Sequence, residues 1–146
     1  MKNKAVMIIT SKKYSFVFAC VGNSGRSQMA EGFARKYLPS GTKIVSAGTK
    51  PAASIDPNAI AVMKEAGIDI SRQKPKMLTT KMVSEATHFV SMGCGVLDSC
   101  PVPLVKGKIE IEDWELEDPK GKDISLVREI RDRIEQHMKD LAKKLV

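Results

Sequence analysis

Short apolar runs alternate along this chain with longer stretches in which apolar residues recur every three or four positions. Tyr14 to Ala19 is a compact apolar run ending at Cys20, followed by a polar, glycine-containing loop from Val21 to Gly25, the pattern of a buried strand entering a turn. From Arg26, the residues Met29, Ala30, Phe33, Ala34, Tyr37 and Leu38 fall at helical spacing until Pro39 and Gly41 stop them. Lys43 to Ala47 reads as a second strand closed by Gly48. Asp56 and Pro57 combine an N-cap residue with a proline suited to the first helical turn, and Ile60, Val62, Met63 and Ala66 carry that helix to Gly67. A third helix is expected over Thr79 to Glu85, a third strand over His88 to Met92 and a fourth over Ile109 to Trp114. The last helix starts near Ile124, with Val127, Ile130, Ile134, Met138, Leu141 and Leu145 forming one apolar stripe among charged residues.

Strands alternating with helices predict an α/β fold, a three-layer doubly wound sheet of about four parallel strands with helices on both faces. No repeat or linker interrupts the pattern, so residues 14–146 read as one domain and one monomeric unit. Residues 1–13 contain another apolar segment, Ala5 to Ile9, which fits either an added edge strand or a loose extension. That run is too brief to span a membrane and lacks a small-residue cleavage site, so no targeting segment is expected.

At 146 residues, 42% of them hydrophobic and 28% charged, the chain can bury a sizeable core without disulfides. The net charge of +7 favours anionic ligands. Its lysines are scattered and aromatic residues make up only 5%, so the interleaved basic and stacking residues of a nucleic-acid reader are missing. Three cysteines without a secretory signature fit a reduced, cytoplasmic protein with reactive thiols.

Ligands of an open α/β sheet bind beyond the carboxyl ends of its strands, where Cys20 stands. Val21, Gly22, Asn23, Ser24 and Gly25 separate it from Arg26, and backbone amides of such a loop can turn inward around an anion. The helix N-terminus adds its dipole, Arg26 a planar cation suited to a tetrahedral oxyanion, and the positive cradle favours the thiolate of Cys20. Ser24 and Ser27 can donate to the sulfur or the anion, and Asn23 can brace the loop.

The stretch CVGNSGRSQMAEGFA from Cys20 to Ala34 closely resembles the signature of arsenate reductases related to the low-molecular-weight protein tyrosine phosphatases. SAGT at Ser46 to Thr49, PNAIAVMKEAGIDIS at Pro57 to Ser71, the cysteine segment after Met92 and DWELEDP at Asp113 to Pro119 extend the resemblance in order. It implies that Cys20 is the nucleophile, that Arg26 binds the oxyanion and that Asp118 protonates the leaving group. It further implies that Cys94 attacks the arsenic adduct and that Cys100 resolves the disulfide for thioredoxin, the external reductant, with no bound cofactor. Gly25 stands where several family members carry another cysteine, and five residues separate Cys94 from Cys100 where six are common. The family's potassium-binding branch would use Asn23, Glu31 and Ser46 with an acidic residue near position 76, where this chain has Lys76. Its ammonium group is a candidate replacement for the ion.

A zinc site is disfavoured because there is no CxxC pair and because His88 and His137 lack ligand spacing; both are expected to pack or face solvent. A phosphatase using one thiol and a noncatalytic thiol switch remain open beside the reductase. Low aromatic content weakens the case for a phosphotyrosine entrance.

Overall fold

The structure, a computed structural model, describes residues 14–93 and 109–145. The N-terminal segment 1–13, Cys94 and Cys100 lie outside the described residues. Strands β1 (Ser15–Cys20), β2 (Lys43–Gly48), β3 (His88–Ser91) and β4 (Glu110–Asp113) form one sheet in the order β2-β1-β3-β4. All three pairings are parallel, with Cys20 opposite Gly48 and Ala19 opposite Ser91. Helices α1 (Arg26–Tyr37), α2 (Pro57–Glu65), α3 (Thr80–Glu85) and α4 (Ile124–Lys144) complete the fold.

The sheet is covered on both faces, so β1 is a continuous apolar run instead of an alternating one. Phe16, Phe18 and Cys20 point to one side, where they join Met29 and Phe33 of α1 and Ile130, Ile134 and Met138 of α4. Val17 and Ala19 point to the other, where Phe89, Leu78 and Val83 form a smaller core. Both cores follow from the two-residue period of a strand.

Every predicted strand and helix is present, with ends shifted by a residue or two. The second helix stops at Glu65, because Gly67 has a φ of +82° and the amides of Ala66 and Gly67 close the turn onto Met63 and Lys64. His88 stacks on Phe16 at 4.3 Å, and burial pushes its imidazole below its ordinary value. His137 stacks on Trp114 at 4.7 Å. At the surface, Arg128 and Arg131 bind Glu65 and tie α4 to α2; hydrogen bonds from Arg128 and then Arg131 bring its carboxyl down to about 2. Among the described residues no helix is long and apolar enough to cross a membrane.

The connection after β2 crosses back over β1 to reach β3, so the strand order reverses at β1. Its carboxyl end is therefore the topological switch point, where open sheets leave a crevice for ligands. Cys20 is the residue placed there.

Candidate active site

The loop after β1 is shaped by where its carbonyls go. The segment from Thr49 to Asp56 runs alongside it as a strap. The amide of Thr49 donates to the Cys20 carbonyl at 3.3 Å, Lys50 to Val21 at 2.9 Å, Ala52 to Gly22 at 2.9 Å and Asp56 to Ser24 at 2.8 Å. Gln28 Nε2 donates to the Asn23 carbonyl at 2.9 Å, and the Met29 amide to that of Gly25 at 2.9 Å. Each carbonyl from Cys20 to Gly25 is thus held outward, which turns the N–H ends of those peptides toward the concave side. The strap can come this close because β2 ends in glycine: a Cβ at Gly48 would lie 2.4 Å from the Val21 carbonyl oxygen.

Cys20 Sγ sits within this curve. It accepts the Asn23 amide at 3.1 Å and lies 2.8 Å from Ser27 Oγ. Asn23 reaches this position with a φ of +50°, a region that side chains other than glycine rarely adopt. Its Nδ2 donates to Ser27 Oγ at 2.7 Å, and its Oδ1 accepts the Lys76 amide at 2.8 Å. These bonds tie Asn23 to α1 and to the segment before α3. Of the two serines, Ser27 touches the sulfur, while Ser24 lines the cleft. Gly25 offers no side chain to cap α1, which leaves the first amides of the helix for a ligand.

Arg26 is buried, and its Nη1 donates to the carbonyls of Met92 at 3.2 Å and Leu116 at 2.8 Å. The guanidinium is therefore clamped between the chain segments that follow β3 and β4. Just beyond β3, Gly93 has a φ of +102°, and a Cβ there would lie 3.2 Å from Glu115 Cα. A residue without a side chain is therefore favoured at this turn beside Glu115 and Leu116.

Cys20, Arg26 and Asp118 line one cleft of about 280 Å³ together with Val21, Gly22, Ser24 and Gly25. Asp118 stands on the exposed rim, its Oδ1 accepting the Lys120 amide at 3.0 Å, and Pro119 beside it faces Gly25. Lys50, Ala52, Asp56 and Lys120 also line the cleft. None of these four was singled out as a site residue from the sequence. Lys50 and Ala52 are placed by backbone bonds that carry no residue signature, although Asp56 was legible as a helix cap. No aromatic ring lines the cleft among the described residues.

Behind the loop, the buried carboxylate of Glu31 accepts from Ser46 Oγ at 2.6 Å and Arg35 at 2.7 Å, and Lys76 Nζ stands 3.8 Å away. Two cations already face this carboxylate, so the residues fit internal neutralisation and do not call for a potassium ion.

Comparison with known proteins agrees with this geometry. Residues 15–146 match the family described as low molecular weight phosphotyrosine protein phosphatase. An arsenate reductase of Bacillus subtilis is 35% identical over 131 residues, covering 86% of this chain and 92% of its own. A glutaredoxin arsenate reductase of Synechocystis is 38% identical, covering 88% and 96%. Among solved structures, an arsenate reductase in the phosphate-binding state superposes with a TM-score of 0.80 at 35% identity, over 91% of this chain and 99% of its own. A thioredoxin-dependent arsenate reductase of Corynebacterium glutamicum gives 0.76 at 33%, over 97% of this chain and 66% of its own. An arginine phosphatase of Geobacillus stearothermophilus gives 0.77 at 28%, over 90% and 92%. With its sheet order, its cysteine-to-arginine loop and a family match that covers nearly all of it, the chain belongs to the low molecular weight phosphotyrosine protein phosphatase family.

Proposed function

We propose that this protein is a thiol-coupled arsenate reductase in which Cys20, Cys94 and Cys100 act in turn and thioredoxin restores the thiols. The observation that carries the reading is Cys20 Sγ, held by the Asn23 amide and next to Ser27 Oγ, in one cleft with Arg26 and Asp118. The relatives named as arsenate reductases, one of them thioredoxin-dependent, support the choice of arsenate.

In the first step the Cys20 thiolate attacks the arsenic of protonated arsenate, a sulfur–arsenic bond forms, and one arsenate hydroxyl takes a proton from Asp118 and leaves as water. The inward amides of the loop and Arg26 hold the remaining oxygens, where fixed dipoles stabilise developing charge better than reorienting water does. In the second step the Cys94 thiolate attacks Cys20 Sγ. A sulfur–sulfur bond forms, the sulfur–arsenic bond breaks, and its electron pair stays on arsenic, which leaves as arsenite. Cys100 then attacks Cys94, freeing Cys20 as a thiolate and leaving a disulfide for the dithiol of thioredoxin. Two thiols are oxidised for each arsenate reduced, so atoms and electrons balance.

A phosphatase using Cys20 alone is the second reading, favoured by the structural likeness to an arginine phosphatase. The absence of aromatic rings from the described cleft lining argues against a phosphotyrosine substrate. The deciding experiment is a single-turnover titration of fully reduced protein with arsenate. Loss of two thiols for each arsenite released, abolished in Cys94→Ser, is the expected result; an unchanged thiol count would sink the reductase reading and leave the phosphatase.

A further inference from the structure

Gln28 lies on the first turn of α1 and is fully buried, yet it faces away from the cleft and touches none of the reacting atoms. Its Nε2 has two hydrogens and three oxygen acceptors: the Asn23 carbonyl at 2.9 Å, Asn23 Oδ1 at 3.0 Å and the Lys74 carbonyl at 3.0 Å. Its Oε1 accepts Gln73 Nε2 at 2.7 Å. Oxygen acceptors around one end of the amide and a donor at the other leave a single orientation of Gln28 that does not set oxygen against oxygen. Asn23 is fixed in the same way, because its Oδ1 takes the Lys76 amide as well and its Nδ2 must then point at Ser27 Oγ, 2.7 Å away. A hydroxyl that receives a hydrogen from Asn23 has its own hydrogen left for Cys20 Sγ at 2.8 Å.

We propose that Gln73, Gln28, Asn23 and Ser27 form a one-way donor chain ending on Cys20, and that Gln28 and Gln73 are positioning residues that hold the nucleophile as a thiolate. Every link donates in the same direction. Gln73 gives to Gln28, Gln28 to Asn23, Asn23 to Ser27 and Ser27 to sulfur, so each bond polarises the next toward a negative charge at the far end. Gln28 also bonds both the carbonyl and the side chain of Asn23, which keeps that residue in its left-handed conformation and its N–H on the sulfur at 3.1 Å. The chain starts at Gln73, a partly exposed residue in the segment before α3, so its first link can be removed without opening the core.

The inference rests on Cys20 being the nucleophile, and its test does not use arsenate. In a Cys94→Ser, Cys100→Ser background Cys20 is the one remaining thiol, and its rate of alkylation by iodoacetamide is measured at pH 7 and pH 10. Gln28→Leu is expected to slow alkylation about tenfold at pH 7, and Gln73→Leu about threefold, with rates at pH 10 equal to or above those of the unsubstituted glutamines. Unchanged rates at pH 7 would overturn the proposal. Equal slowing at both pH values would also overturn it, because that pattern reports lost access or damaged packing. Should Gln28→Leu fail to fold, Gln73→Leu decides alone. If arsenate is not reduced by the wild type while alkylation follows the expected pattern, the reductase reading fails and the donor chain stands.

Discussion

The two halves of the cleft are built in opposite ways. On the nucleophile side, each carbonyl from Cys20 to Gly25 has a donor, Asn23 is bonded through backbone and side chain alike, and Arg26 is clamped to Met92 and Leu116. On the acid side, Asp118 is exposed on a loop, and its carboxylate accepts a backbone amide two residues on. The difference matches the work of each half. Dipoles that stabilise charge on an oxyanion must already be aligned, since realigning them during the reaction would raise the barrier. In the proposed mechanism Asp118 gives up a proton and is recharged from water, which its exposure on the cleft allows.

The comparison breaks most sharply at Asp118. Asp118→Asn keeps shape and removes the acid, and loss of general acid catalysis should lower turnover by about 10²–10⁴-fold. Because the side chain is exposed and its local turn can form with asparagine, the melting temperature should stay within about 1 °C, as for surface substitutions generally. Measured kcat and thermal melts check both. Unchanged turnover would show that Asp118 is not the general acid.

Arg26→Lys should also lose activity but should differ in stability. Losing one preorganised oxyanion contact is expected to lower kcat by about 10²–10³-fold. The shorter lysine side chain does not place its nitrogen where Nη1 meets both the Met92 and Leu116 carbonyls, and a buried cation with imperfect partners should also lower the melting temperature. Activity loss with a fall in stability on one side of the cleft, and without it on the other, is the signature of the two designs. A variant that lost activity at unchanged stability would show that the clamp on Arg26 is not what holds the loop.

How far the sequence foretold this site follows the same division. Strand, cysteine, loop and helix were legible because apolar periodicity and the special residues at the turn report backbone conformation directly. The two cores could be assigned once β1 was known to be buried on both faces. The strap from Thr49 to Asp56 was not legible, since its bonds to the loop come from main-chain amides that almost any residue supplies. Gln28 and Gln73 were missed for a related reason: 45 positions apart, they become partners only when the segment before α3 folds back behind the loop. Asp118 was legible by resemblance alone, for in the bare sequence it is one of several acids in a turn.

The smallest expected effect lies deepest on the rigid side. Glu31, Ser46 and Asn23 sit where the resembling potassium-binding branch would hold its ion, and here Lys76 supplies the Asn23 Oδ1 contact through its amide and a cation 3.8 Å from Glu31 through its ammonium. We infer that this lysine stands in for the ion. Replacing sodium by potassium at constant ionic strength should then leave the wild-type melting temperature unchanged. In Lys76→Ala the backbone bond to Asn23 survives while the ammonium, its bond to the Lys74 carbonyl and the partly exposed stem are lost, so the cost should be about 1 kcal/mol, or roughly 2–4 °C, for a domain of this size. Part of that loss should return in potassium but not in sodium, because the vacated space next to Glu31 and Ser46 presents oxygen ligands to a cation. A wild-type protein that is itself stabilised by potassium would show that Lys76 does not complete the site, and that the nucleophile half needs an ion from outside to become as rigid as its bonds imply.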